Sequence, residues 1–350
     1  MTPNEQAGNP QPRVFHLAED NAIINRYGFP SVGFPLVVSR LRSFLSHRTS
    51  QPDALSDGPQ RILAVNLGKN KASPPHSISD YLQGVRTFGP LADVLVINVS
   101  SPNTPGLRGL QSRDFLFELL SAVVNERDGL PLTSEQPGSS GVTFARIWSK
   151  PKVVVKIAPD LNEVELIGIA EAVERSGVDG VIVSNTTIQR PTTLKSGGSH
   201  NKPPSAFTDS HIIAVTAQSY VILANASETG GLSGPPLFPF ALSALRMLRT
   251  LLPAEIPIIG CGGITTGSDA LAFAKSGASS VQFYTALSTD GAGAVRRIKD
   301  EVVAELETEG KTWAEVVQSA VRELAGTHPE RCHECQVKAT APLSEDTLRG

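Results

Sequence analysis

The residues with the clearest chemical possibilities in this sequence sit directly behind short apolar runs. Asn66-Leu-Gly-Lys-Asn-Lys71 follows one run, Asn98-Val-Ser-Ser-Pro-Asn-Thr104 follows a second, and Lys156 nearly closes a third. Asn185-Thr-Thr187, Gly260-Cys-Gly-Gly263 and Tyr284-Thr-Ala286 follow three more. The turns at Gly262/Gly263 and Tyr284/Thr285 each precede a helical pattern. Successive strand-to-helix turns of that kind present backbone N–H groups to an anion such as phosphate. A lone Gly-Gly reads as a tight turn; two such turns in succession favour the anion. Asn is depleted in strands, yet Asn66, Asn98, Asn103 and Asn185 recur at strand ends. Turn chemistry accounts for any one of them. Together they suit a planar ligand that both donates and accepts hydrogen bonds. Lys156, inside an apolar strand, needs an anionic partner if it is buried. Ser100 and Ser101 precede Pro102, and a serine there is a base or nucleophile only if another group takes its proton.

The elements that must hold these residues are short and regularly spaced. Residues 61–66, 93–100, 152–157, 180–184, 256–260 and 279–284 read as strands. Residues 77–88, 114–125, 161–176, 239–252, 268–276, 292–309 and 313–324 read as helices. The strands are continuously apolar rather than alternating, as strands buried on both faces are. Repeated βα units of roughly 30 residues predict an α/β fold with a parallel sheet, either open and doubly wound or closed as a (β/α)8 barrel. In both, sites form at the C-terminal strand ends. A barrel needs eight strands, and this reading finds six. The first 60 residues are Pro-rich and polar, with one helical stretch at 35–46 and no convincing strand. Two long stretches, 129–149 and 191–227, fit no βα unit, and loops of that length are uncommon inside a compact domain.

Composition excludes several classes of function. In 350 residues, 31 Lys and Arg against 34 Asp and Glu give a net charge of -3, which makes no electrostatic case for nucleic acid or an anionic membrane. Aromatics at 5% argue against a stacking platform for single strands. Cys261, Cys332 and Cys335 cannot build a disulfide scaffold. Cys332-His-Glu-Cys335 has the spacing of half a zinc site, but without a second pair a solvated tail is the favoured reading, and no metal is expected. No apolar run approaches the ~20 residues of a membrane span, and the first residues carry no targeting pattern.

Taken together, the strings are specific. NRYGFPS (25–31), NLGKNK (66–71), NVSSPNTPGLRGLQ (98–111), VKIAPDL (155–161), NTT (185–187), ETGGLSGPPL (228–237), IIGCGGITTG (258–267) and VQFYTAL (281–287) resemble dihydroorotate dehydrogenase, in the family's order. The stretch RVFHLAEDNAIINRYGF and the serine at 101 are similar to the class 2, quinone-linked branch; class 1 enzymes carry Cys at the position of Ser101. The resemblance implies a flavin-dependent (β/α)8 TIM barrel of de novo pyrimidine biosynthesis. Dihydroorotate would be oxidised to orotate across C5–C6, with Ser101 as general base at C5, FMN taking the hydride at N5, and ubiquinone reoxidising the FMN. A serine is a poor base in water and would need desolvation and a relay, for which Thr104 or a water is the candidate. Position by position, the resemblance implies substrate contacts from Asn25, Arg26, Tyr27, Gly28, Phe29, Asn98, Asn103, Asn185 and Thr186. It implies FMN contacts from Asn66, Asn98, Lys156, Ser184, Gly234, Gly263, Tyr284 and Thr285. Ser184 stands where the family more often has Thr. The family's class 2 members lie at the mitochondrial inner membrane.

Where the chain departs from the pattern, further expectations follow. Thr2-Pro3 resembles the loop after the family's second barrel strand. The expectation is therefore an incomplete barrel of about six βα units, lacking the first two strands and the helical pair of the quinone tunnel. Residues 1–60 would enter the barrel, 61–325 would form it, and 326–350 would be a polar tail. A catalytically inactive fragment is one alternative. A class 1 or dihydropyrimidine flavin oxidoreductase is another, against which Ser101 argues. The stretch 205–226 reads as a retained intron or a genuine insertion.

Overall fold

The computed structural model describes residues 1–49, 62–104, 106–131, 150–197 and 225–329. The N-terminal part holds β1 (Glu5–Gln6), β2 (Val14–Leu17), β3 (Ala22–Asn25), β4 (Ser31–Val32) and α1 (Gly33–Thr49). Regular alternation follows with β5 (Ala64–Leu67), α2 (Ser79–Phe88), β6 (Val94–Asn98), α3 (Arg113–Asp128), β7 (Lys152–Ile157), α4 (Glu163–Ser176) and β8 (Gly180–Val183). Beyond these come β9 (Gly231–Ser233), α5 (Phe238–Leu251), β10 (Ile258–Cys261), α6 (Gly267–Ala274), β11 (Ala278–Gln282), α7 (Thr285–Asp290), α8 (Gly293–Glu309) and α9 (Trp313–Leu324).

Six strands form one parallel sheet in the order β11-β10-β8-β7-β6-β5. The order never reverses along the chain. A doubly wound sheet reverses at its switch point, so the topology is that of the barrel. Among the described residues the sheet does not close.

Both faces of these strands are apolar, and for different reasons. Leu95, Ile97, Val153, Val155, Ile157, Val181, Val183 and Ile258 point outward into one continuous core with the helices. Val96, Val154 and Ile182 point inward and meet Ile259 and Cys261. Side chains two positions apart share a face. One step further along each strand, the inward positions are therefore Asn98, Lys156, Ser184 and Cys261. The same inner face is apolar at depth and polar at its C-terminal mouth. Register reinforces this, since Asn98 pairs directly with Lys156. The helices begin promptly beyond the mouth. Capping boxes at Asn162/Glu165, Thr266/Asp269 and Thr312/Glu315 satisfy the free N–H groups that open α4, α6 and α9.

The first 60 residues correct the sequence reading, which finds no strand there. They contain β1 to β4, none of which joins the parallel sheet. β1 pairs antiparallel with β4, and β2, β3 and β9 form a separate three-stranded antiparallel sheet. Phe15, Leu17, Ala22 and Ile24 are buried there against Leu194, Ala226 and Leu232. This small sheet ends on Asn25 and so delivers the 25–31 segment to the mouth of the parallel sheet. Residues 205–224 of the inserted stretch, 132–149 of the polar insert, Cys332, Cys335 and the tail from 330 lie outside the described residues.

Candidate active site

Two adjoining cavities occupy the mouth. The first, about 380 Å3, is lined by Asn25, Tyr27, Phe29, Ser101, Asn103 and Thr186, with Gly28, Pro30, Asn98 and Asn185 completing its wall. Its amides are already oriented by one another. The Asn98 side-chain oxygen accepts from the Ser100 amide at 3.2 Å and from Asn185 Nδ2 at 3.3 Å. Asn185 Nδ2 also donates to Ser100 Oγ at 2.9 Å, and its side-chain oxygen accepts from the Thr186 amide at 2.8 Å. Asn103 Nδ2 donates to the Asn25 backbone and side-chain oxygens at 3.0 and 3.2 Å. Below them, the fully buried Tyr81 donates its hydroxyl to the Asn98 carbonyl at 3.0 Å. Burial, with Asp80 nearby, pushes the Tyr81 phenol above its ordinary range, so it stays a donor.

The segment from 25 to 31 reaches this wall by a tight backbone path. Gly28 has φ 68° and Phe29 φ 54°; the second is an uncommon conformation for a side-chain-bearing residue. Of the nine residues expected at the substrate, eight line this cavity. Arg26 does not. Its Nη1 lies 2.5 Å from Glu228 Oε2, and its guanidinium lies over the Phe15 ring at 4.5 Å. It lies just beyond the end of β3, and its side chain turns away from the cavity that Asn25 and Tyr27 line.

The second cavity, about 230 Å3, shares Asn25, Asn185 and Thr186 with the first. Lys156, Ser184, Gly234, Gly263, Tyr284 and Thr285 line it. The sequence reading missed Ser233, Leu237, Cys261 and Phe283, which also stand there. Ser233 had a signal, since it lies inside the ETGGLSGPPL string beside Gly234; its hydroxyl donates to the Ile23 carbonyl at 3.2 Å and accepts from Thr285 Oγ1 at 3.0 Å. Lys156 Nζ meets Cys261 Sγ at 3.9 Å. Gly263 has φ 71°, and a Cβ there would stand 2.6 Å from the Phe238 nitrogen. Only glycine lets the backbone run this close to the start of α5. Asn66 stands outside both walls and acts on the first through Asn98, whose Nδ2 it accepts at 3.3 Å.

The donor set divides the chemistry between the cavities. The first offers neutral amides and the hydroxyls of Tyr27, Ser101 and Thr186; the Ser101 Oγ accepts from the Asn103 amide at 3.3 Å. Three residues on, Thr104 Oγ1 is buried with no hydrogen-bond partner among the described residues. The second offers one ammonium, the hydroxyls of Ser184, Thr186, Ser233, Thr265, Tyr284 and Thr285, and glycine backbone, which suits a phosphorylated ring system that gains negative charge on reduction. That combination fits a flavin mononucleotide.

A family model described as dihydroorotate dehydrogenase matches residues 1–306. The chain is 44% identical over 339 residues to dihydroorotate dehydrogenase (quinone), mitochondrial, of Schizosaccharomyces pombe, covering 91% of this chain and 66% of the relative. It is 43% identical over 310 residues to the Mus musculus protein of the same name, covering 89% of this chain and 66% of that one. The chain therefore spans 66% of the length of these relatives. A crystal structure of the Eimeria tenella enzyme in complex with ferulenol superposes with a TM-score of 0.75 at 36% identity, covering 93% of this chain and 76% of that one.

Proposed function

We propose that this chain, which belongs to the dihydroorotate dehydrogenase family, oxidises dihydroorotate to orotate, with FMN in the second cavity and the substrate in the first. One observation carries the reading: a single serine hydroxyl among four converging asparagines, Asn25, Asn98, Asn103 and Asn185, opens onto a cavity holding the lysine and the glycine turns. Dihydroorotate is a multiply hydrogen-bonding ring with a carboxylate, and oxidation across C5–C6 makes it planar. The amides, each fixed by a neighbour, orient that ring without reorganising. Ser101 takes the proton from C5. Its hydroxyl becomes a base only if the proton moves on; the candidate relay is Thr104, whose buried hydroxyl has no hydrogen-bond partner among the described residues, or a water. Lys156, Ser184, Gly234, Gly263, Tyr284 and Thr285 would hold FMN, with Lys156 as the positive charge beside the ring. The chemistry that FMN would supply there is acceptance of the C6 hydride, with a quinone as the final electron acceptor.

Ser101 in place of cysteine supports the quinone-linked branch, and the relatives are named both quinone-dependent and mitochondrial. Ubiquinone as final acceptor and the mitochondrial inner membrane as location follow as parts of the same proposal. No helix among the described residues is long and apolar enough to cross a membrane.

The test is the visible spectrum of the chain loaded with FMN. Anaerobic dihydroorotate should bleach the flavin band. Ser101→Ala should keep the band and bleach it about 100- to 10,000-fold more slowly, the range for a positioned proton acceptor. A stoichiometric band that dihydroorotate leaves untouched would overturn the reading.

A further inference from the structure

Behind the Ser101 wall lies an ion pair that no step above uses. Arg108 follows β6 in the 98–111 string and turns back beneath it. Its Nη1 is 2.8 Å from Asp160 Oδ2. Its Nε donates to the Ser100 carbonyl at 3.3 Å, and its Nη2 to the Thr186 carbonyl at 3.2 Å. One planar guanidinium therefore touches the loops after β6, β7 and β8 at once. Asp160, with a side chain only 6% exposed, is held in turn. Its Oδ1 accepts from the Thr187 hydroxyl and its Oδ2 from the Ile188 amide at 3.1 Å. Gln111 adds a second tie, accepting from the Ala158 amide at 2.9 Å.

We infer that the Arg108–Asp160 pair is a positioning device for the reaction, setting the Ser101 hydroxyl and the Asn185–Thr186 wall at one fixed separation. The inference rests on the reading of Ser101 as base. The geometry is economical. The Ser100 carbonyl belongs to the peptide that leads into Ser101, and the Thr186 carbonyl belongs to a residue lining the substrate cavity. Both are acceptors of the same five-donor fork. A lysine would reach one carbonyl as a point charge and could not span both. Since displacement of a reacting group by about 1 Å costs on the order of 100-fold in rate, loosening this fork is expected to act on turnover more than on affinity.

The outer side of the pair is accessible. A cavity of about 580 Å3 lies against Arg108, Asp160, Gln111 and the first turns of α4, and shares no lining residue with the proposed substrate cavity. A small planar cation entering from there would replace a missing guanidinium.

Two measurements on the full chain decide the matter. In the FMN-loaded protein, Arg108→Ala should lower kcat about 100-fold while KM for dihydroorotate stays within about threefold. Added guanidinium ion should restore at least about tenfold of that loss, and methylammonium should not, because only the planar fork matches both carbonyls. Arg108→Lys should remain slow. In the chain without ligand, amide hydrogen exchange should accelerate at residues 99–104 and 185–188 in Arg108→Ala and Asp160→Asn, with the rest of the parallel sheet unchanged. Full turnover by Arg108→Ala, in a protein where Ser101→Ala is slow, would sink the inference and leave the base assignment standing. A uniform rise in exchange across the sheet would reduce the pair to a structural brace and equally sink it. Should Ser101→Ala turn over normally, the base assignment falls, and the exchange pattern alone then decides whether the pair positions these loops.

Discussion

At the scale of single residues, polar side chains at the sheet mouth are defined by what stands two positions earlier. Val96 precedes Asn98, Val154 precedes Lys156 and Ile182 precedes Ser184, so each polar group emerges from an apolar floor. The asparagines were legible as a group because turn chemistry explains one of them and not four. Arg26 was not resolved that way, because its neighbours Asn25 and Tyr27 line the cavity while its own side chain pairs with Glu228, a partner far along the chain. Gly263 yields a prediction at this scale. Gly263→Ala would place a methyl at a left-handed backbone position and against the Phe238 nitrogen. The strain, about 1–2 kcal/mol, should weaken FMN retention roughly tenfold, read as the flavin-to-protein absorbance ratio after gel filtration. An unchanged ratio would show that this turn does not form the phosphate end.

At the scale of elements, the strands that were legible are those buried on both faces, because a continuous run such as Val153–Val155 between polar residues admits little else. The hairpin of β2 and β3 was missed for a physical reason. Each strand has four residues, and the partner that buries them, β9, lies about two hundred positions later. The far end of the sheet is stitched electrostatically. Asp179, just before β8, accepts from the Val153 amide at 2.8 Å, Lys152 at 2.9 Å and Arg127 at 2.7 Å, joining α3, β7 and β8. Burial pushes this carboxyl upward, but the hydrogen bonds from Val153, Lys152 and Arg127 outweigh it and hold it below the ordinary value. A depressed carboxylate contributes stability that is fully present above its unfolded pKa of 3.8 and is lost as pH falls through its folded value. Asp179→Asn should therefore lower stability by about 1 kcal/mol at neutral pH, a modest figure because the group is partly solvated. In denaturant titrations the gap to the parent chain should close below about pH 4. A gap that stays constant from pH 7 to pH 3 would rule out this origin.

At the scale of the whole molecule, the proposed cofactor cavity is shared between two sheets. Lys156 and Ser184 come from the parallel sheet and its ends, and Ser233 and Gly234 from the end of the antiparallel one. Bound FMN would join them, so it should stabilise the fold by mass action, by about 2.7 kcal/mol at a free concentration one hundred times its Kd. FMN should raise the melting temperature more than riboflavin does, because the turns at Gly263 and Tyr284 are read as the phosphate end. Equal shifts from the two would place the phosphate elsewhere.

The sequence by itself determined the six parallel strands, their barrel-like family and the residue types at the mouth. These follow from local periodicity and from short strings whose chemistry is carried within a few positions. Only the tertiary structure decided how those residues are shared out. It showed that residues 23–25, paired on one side with 14–16, pair on the other with 231–233 and carry Asn25 to the mouth, that Arg26 faces Glu228, and that Arg108 bridges three loops. Each of these depends on contacts between groups distant along the chain. Such contacts leave no local pattern, because only the folded chain brings the partners together.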